Sequence, residues 1–345
     1  MIEQLRLENF RSYPRAEFLF EPLTIIVGPN GGGKTNILEA ISMLSITTSW
    51  RTEKDNEVIT WGEAFCRVVK DDQELVIQNH PYFKRLKIDG VSKRTYQVIG
   101  RLPTVLFQPD DIQILYGSPN QRRHYLDRVL SQTSVAYTQA ILEVQHVLKQ
   151  RNRLLKQIGE GAASASELAF WDGELATNHA IIQRERQAFV AFMNEQLPGI
   201  FAQMVPEGPE VKVEYHQSPR HVELPFLEYV ANQRMKEIAA GVSLYGPHRE
   251  DILFTWGEHS VHQSMSRGQS RALLLACKMV ELEYISLKSE TRPVLLLDDI
   301  FSELDAERRE RLLSVFGDYQ VIMTTTEVQE ATLVGRESLI IDVKN

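Results

Sequence analysis

Residues 28–35 read Gly-Pro-Asn-Gly-Gly-Gly-Lys-Thr, and few eight-residue strings constrain a fold as tightly. The pattern GxxxxGK[ST] follows a strand and opens a helix, because there the backbone N–H groups can turn inward around a phosphate. Both flanks are legible. Leu23–Val27 (LTIIV) is a short apolar run of the buried-strand kind, and Ile37, Leu38, Ile41 and Leu44 recur at helical spacing. The glycines permit close backbone approach, and the new helix offers unpaired N–H groups and the positive end of its dipole. Lys34 is placed to reach the β- and γ-phosphates, and the Thr35 hydroxyl to ligate magnesium. Gly28, Pro29, Asn30, Gly31, Gly32, Gly33, Lys34, Thr35 and the following Asn36 are therefore expected to bind ATP with Mg2+.

A second apolar strand completes such a site. Val294-Leu-Leu-Leu-Asp298-Asp299 delivers one carboxylate, Asp298, to the metal. Asp299, one residue later, is placed to orient or deprotonate an attacking water. Asp299 and Lys34 are thus the expected catalytic residues.

The rest of the 345-residue chain suggests an α/β domain carrying an insertion. From Phe65 to Ile99 short β-type runs alternate with turn signals, with Asp71-Asp72 and Asp89-Gly90 as the expected hairpin tips. Residues Leu126 to about Met193 lack proline and carry apolar residues at helical spacing, broken by Gly159–Ser166 and stopped at Leu197-Pro198-Gly199. An unbroken helix over Asn120–Ile158 would be about 58 Å long. β signals return at Glu210–Tyr215 and Ile252–Trp256. A helical run at Gln269–Leu287 follows, then strands at Val294–Leu297, Val321–Thr324 and Ser338–Val343, with a helix at Ala306–Val315 between them. Such alternation argues a parallel or mixed sheet covered on both faces. The expected division is 1–117 and 206–345 for the two parts of the α/β domain, with a mainly helical lobe at 118–205.

No apolar run approaches a membrane span, and the N-terminus MIEQLRLENFRS has no signal-like apolar core. Cys66 and Cys277 lie far apart with no metal-binding spacing, which fits a reducing cytosol. The formal net charge of −8 is the wrong sign for a simple DNA-coating protein, yet the charge is unevenly spread. Lys84, Arg85, Lys87, Lys93 and Arg94 form one basic run; Arg122, Arg123, Arg151 and Arg153 belong to another. Each run is either a solvated face or a contact for a phosphate backbone.

Ser266-Arg267-Gly268-Gln269 opens a helical run and resembles the signature motif of ATP-binding-cassette proteins; Ser266 is equally suited to a plain helix cap. Ser302-Glu303-Leu304-Asp305 resembles the D-loop of the same superfamily. Within it, the chain is most similar to the RecF family, relatives of the Rad50 and SMC heads. The resemblance runs through Leu7–Tyr13 (LENFRSY), Gly28–Ala40, Phe107-Gln108-Pro109-Asp110-Asp111, Gly117–Arg123, Gln150–Lys156, Tyr245–Asp251 (YGPHRED) and Leu295–Asp305.

The resemblance implies an ABC/SMC/Rad50-like P-loop ATPase head with a mixed β-sheet and an inserted helical lobe. It implies an ATP-dependent homodimer in which Ser266–Gln269 of one subunit closes on Gly28–Thr35 of the other. It further implies binding to double-stranded or gapped DNA, weak DNA-stimulated ATP hydrolysis, and partnership with RecR and RecO in loading RecA. Arg11 would lie near the nucleotide, or else be a surface arginine on the first hairpin. Gln108 would sense magnesium or water, or else link two elements. Asp299 stands where related ATPases carry glutamate, and Thr324-Thr325-Thr326 where many place a phosphate-sensing histidine. The Tyr245–Asp251 segment is expected to form a structural network through His248, Arg249 and Asp251, or else to touch DNA. Two other readings compete: a P-loop metal-dependent nuclease, and a long-armed structural ATPase of the Rad50 or SMC kind.

Overall fold

The computed structural model describes residues 1–220, 224–300, 317, 319–326 and 338–343. The chain divides into two compact units, the first made of residues 1–112 and 274–345, the second of residues 113–273.

The first unit opens with a hairpin of β1 (Gln4–Phe10) and β2 (Tyr13–Leu19), then the apolar β3 (Leu23–Val27) and helix α1 (Lys34–Ile46). β4 (Phe65–Lys70), β5 (Gln73–Gln78), β6 (Phe83–Ile88) and β7 (Val91–Lys93) follow, then the short α2 (Thr95–Val98) and β8 (Thr104–Phe107). Both expected hairpin tips are present. Lys70 pairs with Gln73 across Asp71-Asp72, and Ile88 with Val91 across Asp89-Gly90, where both loop residues take positive φ (51° and 74°) as a type I′ turn demands.

The second unit contains α3 (Gln113–Tyr116), α4 (Pro119–Thr133), α5 (Val135–Gly159) and α6 (Leu168–Ala202). After β9 (Val211–His216) come α7 (Phe226–Asn232), α8 (Arg234–Ala240), β10 (Asp251–Trp256), β11 (His259–Ser260) and α9 (Val261–Ser264). Helix α10 (Arg267–Lys288) starts here, and its part from Leu274 belongs to the first unit. β12 (Val294–Asp298), β13 (Val321–Thr325) and β14 (Leu339–Asp342) complete the described elements.

The mixed β content separates into sheets of one kind each. β2-β1-β4-β5-β6-β7 is antiparallel, β11-β10-β9 is antiparallel, and β14-β3-β13-β12-β8 is parallel throughout. In the first unit one apolar core takes in Leu5, Leu7, Val68, Leu75 and Ile77 of the antiparallel sheet with Ile26, Leu106, Leu296 and Ile322 of the parallel sheet, and Ile37, Leu38, Ile41 and Leu44 of α1. Sharing one core with both sheets explains why α1 is buried on nearly every side.

Three expectations needed correction. The single rod over Asn120–Ile158 is broken at Ser134, which is extended (φ −143°, ψ 111°) and caps α5 by accepting from the Tyr137 N–H. The stop at Pro198 is not a stop: α6 runs through it to Ala202. Leu197 and Phe201 continue the buried face of Val190 and Met193, and that burial outweighs the lost backbone hydrogen bond. The β signals at Glu210–Tyr215 and Ile252–Trp256 do form strands, but they pair with each other in the second unit and not in the parallel sheet. By this division residues 206–273 group with the helices. The side chain of Asn194 on α6 fixes the β9 edge, donating to the Val213 carbonyl and accepting from its N–H. The expected helix at Ala306–Val315 and the D-loop residues Ser302 and Asp305 lie outside the described residues. No helix among the described residues is long and apolar enough to cross a membrane.

Candidate nucleotide site

In a parallel sheet every strand ends on the same edge. Here β3 runs into Gly28, β13 ends at Thr325, β12 ends at Asp298, and β8 runs into Gln108. The register Thr324↔Ile26, Asp298↔Thr324 and Leu297↔Phe107 brings these ends side by side. Such a carboxyl edge is where open α/β sheets hold ligands.

The phosphate loop is shaped by what surrounds it. Gly33 takes φ 96°, and a Cβ there would lie 2.8 Å from Tyr13 Oη and 2.9 Å from Ser12 Oγ. The β1–β2 turn therefore rests directly on the loop. At Gly28 a Cβ would meet the Val343 carbonyl oxygen at 2.5 Å. Lys34, at the first turn of α1, curls back so that its ammonium donates to the Gly28 carbonyl at 2.7 Å and the Pro29 carbonyl at 3.0 Å. Burial pulls the Lys34 pKa down, while the charges of Asp299 and Asp298 act against that. The lysine is thus buried at the mouth of its own loop, in the field of both acids.

The Thr35 hydroxyl faces the Asp298 carboxylate at 2.9 and 3.1 Å. A hydroxyl and a carboxylate oxygen are the donor chemistry of a hard divalent cation, so Thr35 and Asp298 fit Mg2+. Thr324 adds a third group. Its hydroxyl donates to Asp298 Oδ1 at 2.8 Å and accepts from the Asp299 N–H at 3.0 Å. Asp299 itself sits in the left-handed region at φ 51°, costly for a residue with a side chain. The Thr324 hydrogen bond is what holds the strand end in that turn.

Arg11 is placed beside the loop but engaged elsewhere. Its Nε and Nη2 donate to Glu39 at 2.9 and 2.6 Å, and its Nη1 to the Glu57 carbonyl at 3.0 Å. Glu39 is fully buried in α1 and also accepts from Ser49 and from Arg51. Arg51 in turn donates to Asn36 Oδ1 at 2.8 Å, and Asn36 donates to Ser12 Oγ at 2.9 Å. A closed set of polar contacts thus ties the first hairpin to the start of α1. Glu39, Arg51, Ser12 and Tyr13 were given no individual role from the sequence. The available signal was Glu39 itself, an acid among Ile37, Leu38, Ala40 and Ile41, which only a buried partner makes tolerable. Gln108 turns away, its backbone N–H and side-chain amide both directed to Asp111 at 3.2 and 3.4 Å. Asp111 pairs with the buried Lys278 of α10.

In the second unit Ser266 stands immediately before α10 and its side chain is reciprocally capped. Its N–H donates to Gln269 Oε1 at 2.8 Å, and its Oγ accepts from the Gln269 N–H at 3.3 Å. Ser266 and Arg267 are exposed, Gly268 and Gln269 half-buried.

The basic residues divide sharply. Arg85, Arg94 and Arg153 are exposed. Lys84 is tied to Asp55 at 2.7 Å and Lys87 to Glu74 at 2.9 Å; Lys93 and Arg123 are half-buried. Arg122 and Arg151 are buried and cannot belong to a DNA surface. Arg122 holds Asp251 through two hydrogen bonds at 2.8 and 2.7 Å, and Arg151 joins Asp172 and Glu237 at no exposure at all. The arithmetic of a basic run misses this because a helix turns some of its positions, those three and four residues apart, towards the interior.

The YGPHRED segment is largely a structural network. Glu250 is fully buried and is met by His179 at 2.7 Å, Arg186 at 2.8 Å and Tyr215. Burial would raise its carboxyl, but His179, Arg186 and Tyr215 outweigh that and hold it below the ordinary carboxylate range. His248 Nε2 faces the Ser243 carbonyl at 3.0 Å, and burial pushes its pKa down to about 4.

The family model for the RecF/RecN/SMC N terminal domain matches residues 1–340. The DNA replication and repair protein RecF of Moorella thermoacetica is 37% identical over 335 residues, covering 95% of this chain and 90% of that one. This chain belongs to the RecF family. The RecF protein of Roseiflexus castenholzii is 34% identical over 373 residues, 96% of this chain and 95% of its own. Among solved structures, the recombination mediator protein RecF-ATP in the RecFOR pathway superposes with a TM-score of 0.85 at 28% identity, over 94% of this chain and 92% of that one. An SMC head bound to the C-terminal winged-helix domain of ScpA superposes with a TM-score of 0.50 at 17% identity, over 95% of this chain and 90% of that one. That likeness supports the ATPase-head fold alone.

Proposed function

We propose that this RecF-family chain is an ATP-gated DNA-binding protein of replication and recombinational repair. Gly28–Thr35 takes ATP, Thr35 and Asp298 take Mg2+, and Asp299 directs slow hydrolysis that serves as a switch. One observation carries the reading: a nucleotide corner already assembled from Lys34, Thr35, Asp298 and Thr324, in a chain whose signature residue Ser266 is exposed at a capped helix start. An exposed helix N-terminus with its serine in place suits the terminal phosphate of a nucleotide held by a second copy. ATP then assembles a homodimer on double-stranded or gapped DNA, and hydrolysis releases it. The repair role of the curated relatives supports DNA as the partner and the cytoplasm as the place. RecR and RecO remain the proposed protein partners, with RecA loading as the outcome.

The test is sedimentation with ATP and Mg2+, with and without duplex DNA. A dimer stabilised by both ligands is expected. A persistent monomer at saturating ATP and DNA would sink the clamp, and cleavage of a labelled duplex would replace it with the nuclease reading.

A further inference from the structure

Arg122, Arg151, Arg186 and Arg234 in the second unit each end on a carboxylate. Among the described residues Arg123 and Arg249 do not. There each spends a single N–H on a backbone carbonyl: Arg123 Nη1 on Glu250 O at 2.9 Å, Arg249 Nη2 on Ser243 O at 3.2 Å. The first of these contacts sets Arg123 against the backbone of the residue that follows Arg249, and Arg123 feels the Arg249 charge. The nearby acids are already taken, Asp251 by Arg122 and Asp127 by Arg186 and Tyr137. Burial, then the charge of Arg186, depresses the Arg123 pKa; Asp251 and Asp127 act against that, and Arg249 adds a smaller lowering.

Both arginines are held in place. Arg249 closes the 3-10 turn Pro247–Arg249, whose Ser243 anchor also receives His248. Arg123 lies on α4 beside Arg122, which is locked onto Asp251. Arg249 is exposed and Arg123 half-buried, so their remaining donors are open to solvent. Two forks of like charge, neither of them hydrogen-bonded to a carboxylate among the described residues, offer the donor chemistry that grips a tetrahedral oxyanion.

We propose that Arg123 and Arg249 form a two-pronged seat for one phosphate of a nucleic-acid backbone. The inference rests on the reading of this chain as DNA-binding and adds to it a specific contact. It also gives the YGPHRED segment a division of labour: His248, Glu250 and Asp251 build the network, and Arg249 faces outward from it.

The experiment is a fluorescence-anisotropy titration of labelled duplex DNA over a series of salt concentrations, with wild type, Arg249→Gln, Arg249→Lys and Arg123→Gln, each checked for an unchanged melting temperature. Arg249→Gln is expected to weaken binding about tenfold, uniformly across sequences, and to lower the log–log salt slope by about 0.9. Arg249→Lys keeps the slope and loses part of the affinity. If wild type binds duplex and Arg249→Gln binds equally well with the same slope, the seat is wrong while the DNA reading stands. If Arg249→Gln weakens ATP and not DNA, the phosphate is a nucleotide's and the backbone assignment falls. Wild type that binds no duplex at low salt, with or without ATP, overturns both.

Discussion

The Thr35 hydroxyl donates to both carboxylate oxygens of Asp298, at 2.9 and 3.1 Å, across 263 residues of sequence. The same carboxylate takes a second hydroxyl from Thr324, which also accepts the N–H of the strained Asp299. The proposed metal ligand and the proposed catalytic carboxylate are thus positioned by one threonine.

Thr324→Val keeps the shape and removes the hydroxyl; Thr324→Ser keeps the hydroxyl. Losing a hydrogen bond to a charged group costs about 1.5–3 kcal/mol, which corresponds to roughly a 10- to 150-fold change. Thr324→Val is expected to slow hydrolysis by that factor and to weaken the magnesium dependence of nucleotide affinity. Binding of a fluorescent ATP analogue in EDTA should be unaffected, and Thr324→Ser should recover most of both losses. Equal defects in Val and Ser variants would show that packing, not the hydroxyl, matters there.

Lys34→Met and Ser266→Arg should separate binding from assembly. Lys34→Met removes the ammonium at the loop mouth and is expected to abolish ATP binding by calorimetry. Ser266→Arg alters an exposed cap far along the chain from the loop, so ATP binding should persist while the ATP-dependent dimer disappears from sedimentation profiles. A Ser266→Arg protein that still dimerises on ATP would remove the signature from the proposed interface.

Glu39→Gln tests the polar ring under the first hairpin. Glu39 is fully buried and is the shared ion-pair partner of Arg11 and Arg51. Breaking a buried ion pair by removing one partner costs about 3–5 kcal/mol. Urea denaturation should show a loss of that size for Glu39→Ala and a smaller one for Glu39→Gln, which retains an acceptor. A change within 0.5 kcal/mol, the scale of ordinary surface substitutions, would mean the arginines find water instead.

His248 gives the stability a pH dependence of known sign. Its folded pKa is pushed from 6.5 down to about 4 by burial, so the fold holds the neutral ring while the unfolded chain takes up a proton. The stabilisation is present in full above pH 6.5 and is lost as pH falls towards 4, by up to about 3 kcal/mol. Unfolding free energies at pH 7 and pH 5 should differ more in wild type than in His248→Gln. Identical pH profiles for the two proteins would assign the window to other groups.

Local chemistry already carried much of this molecule. The phosphate loop, its strand and its helix are contiguous, and glycine, lysine and threonine at fixed spacing have few other uses. The hairpin tips Asp71-Asp72 and Asp89-Gly90 were equally local, since positive φ selects its own residues. Arg122 and Arg151, by contrast, looked like surface cations because charge is a property of composition, whereas burial is a property of packing. Pro198 looked like a helix end because its own backbone cost is local, and the buried Leu197 and Phe201 that outweigh it are not.

The meeting of Thr35, Asp298 and Thr324 belongs to tertiary structure in the same way. Each residue type is legible alone, but only a parallel sheet with β13 between β3 and β12 puts their strand ends on one edge. The closed contacts of Ser12, Asn36, Arg51, Glu39 and Arg11 follow from the first hairpin folding onto α1, and the backbone-only hydrogen bonds of Arg123 and Arg249 among the described residues from which acids their neighbours reach first. A hydrogen bond is decided within about 3 Å. Sequence spacing sets such distances inside a turn or a helix, and beyond that only the packed chain can.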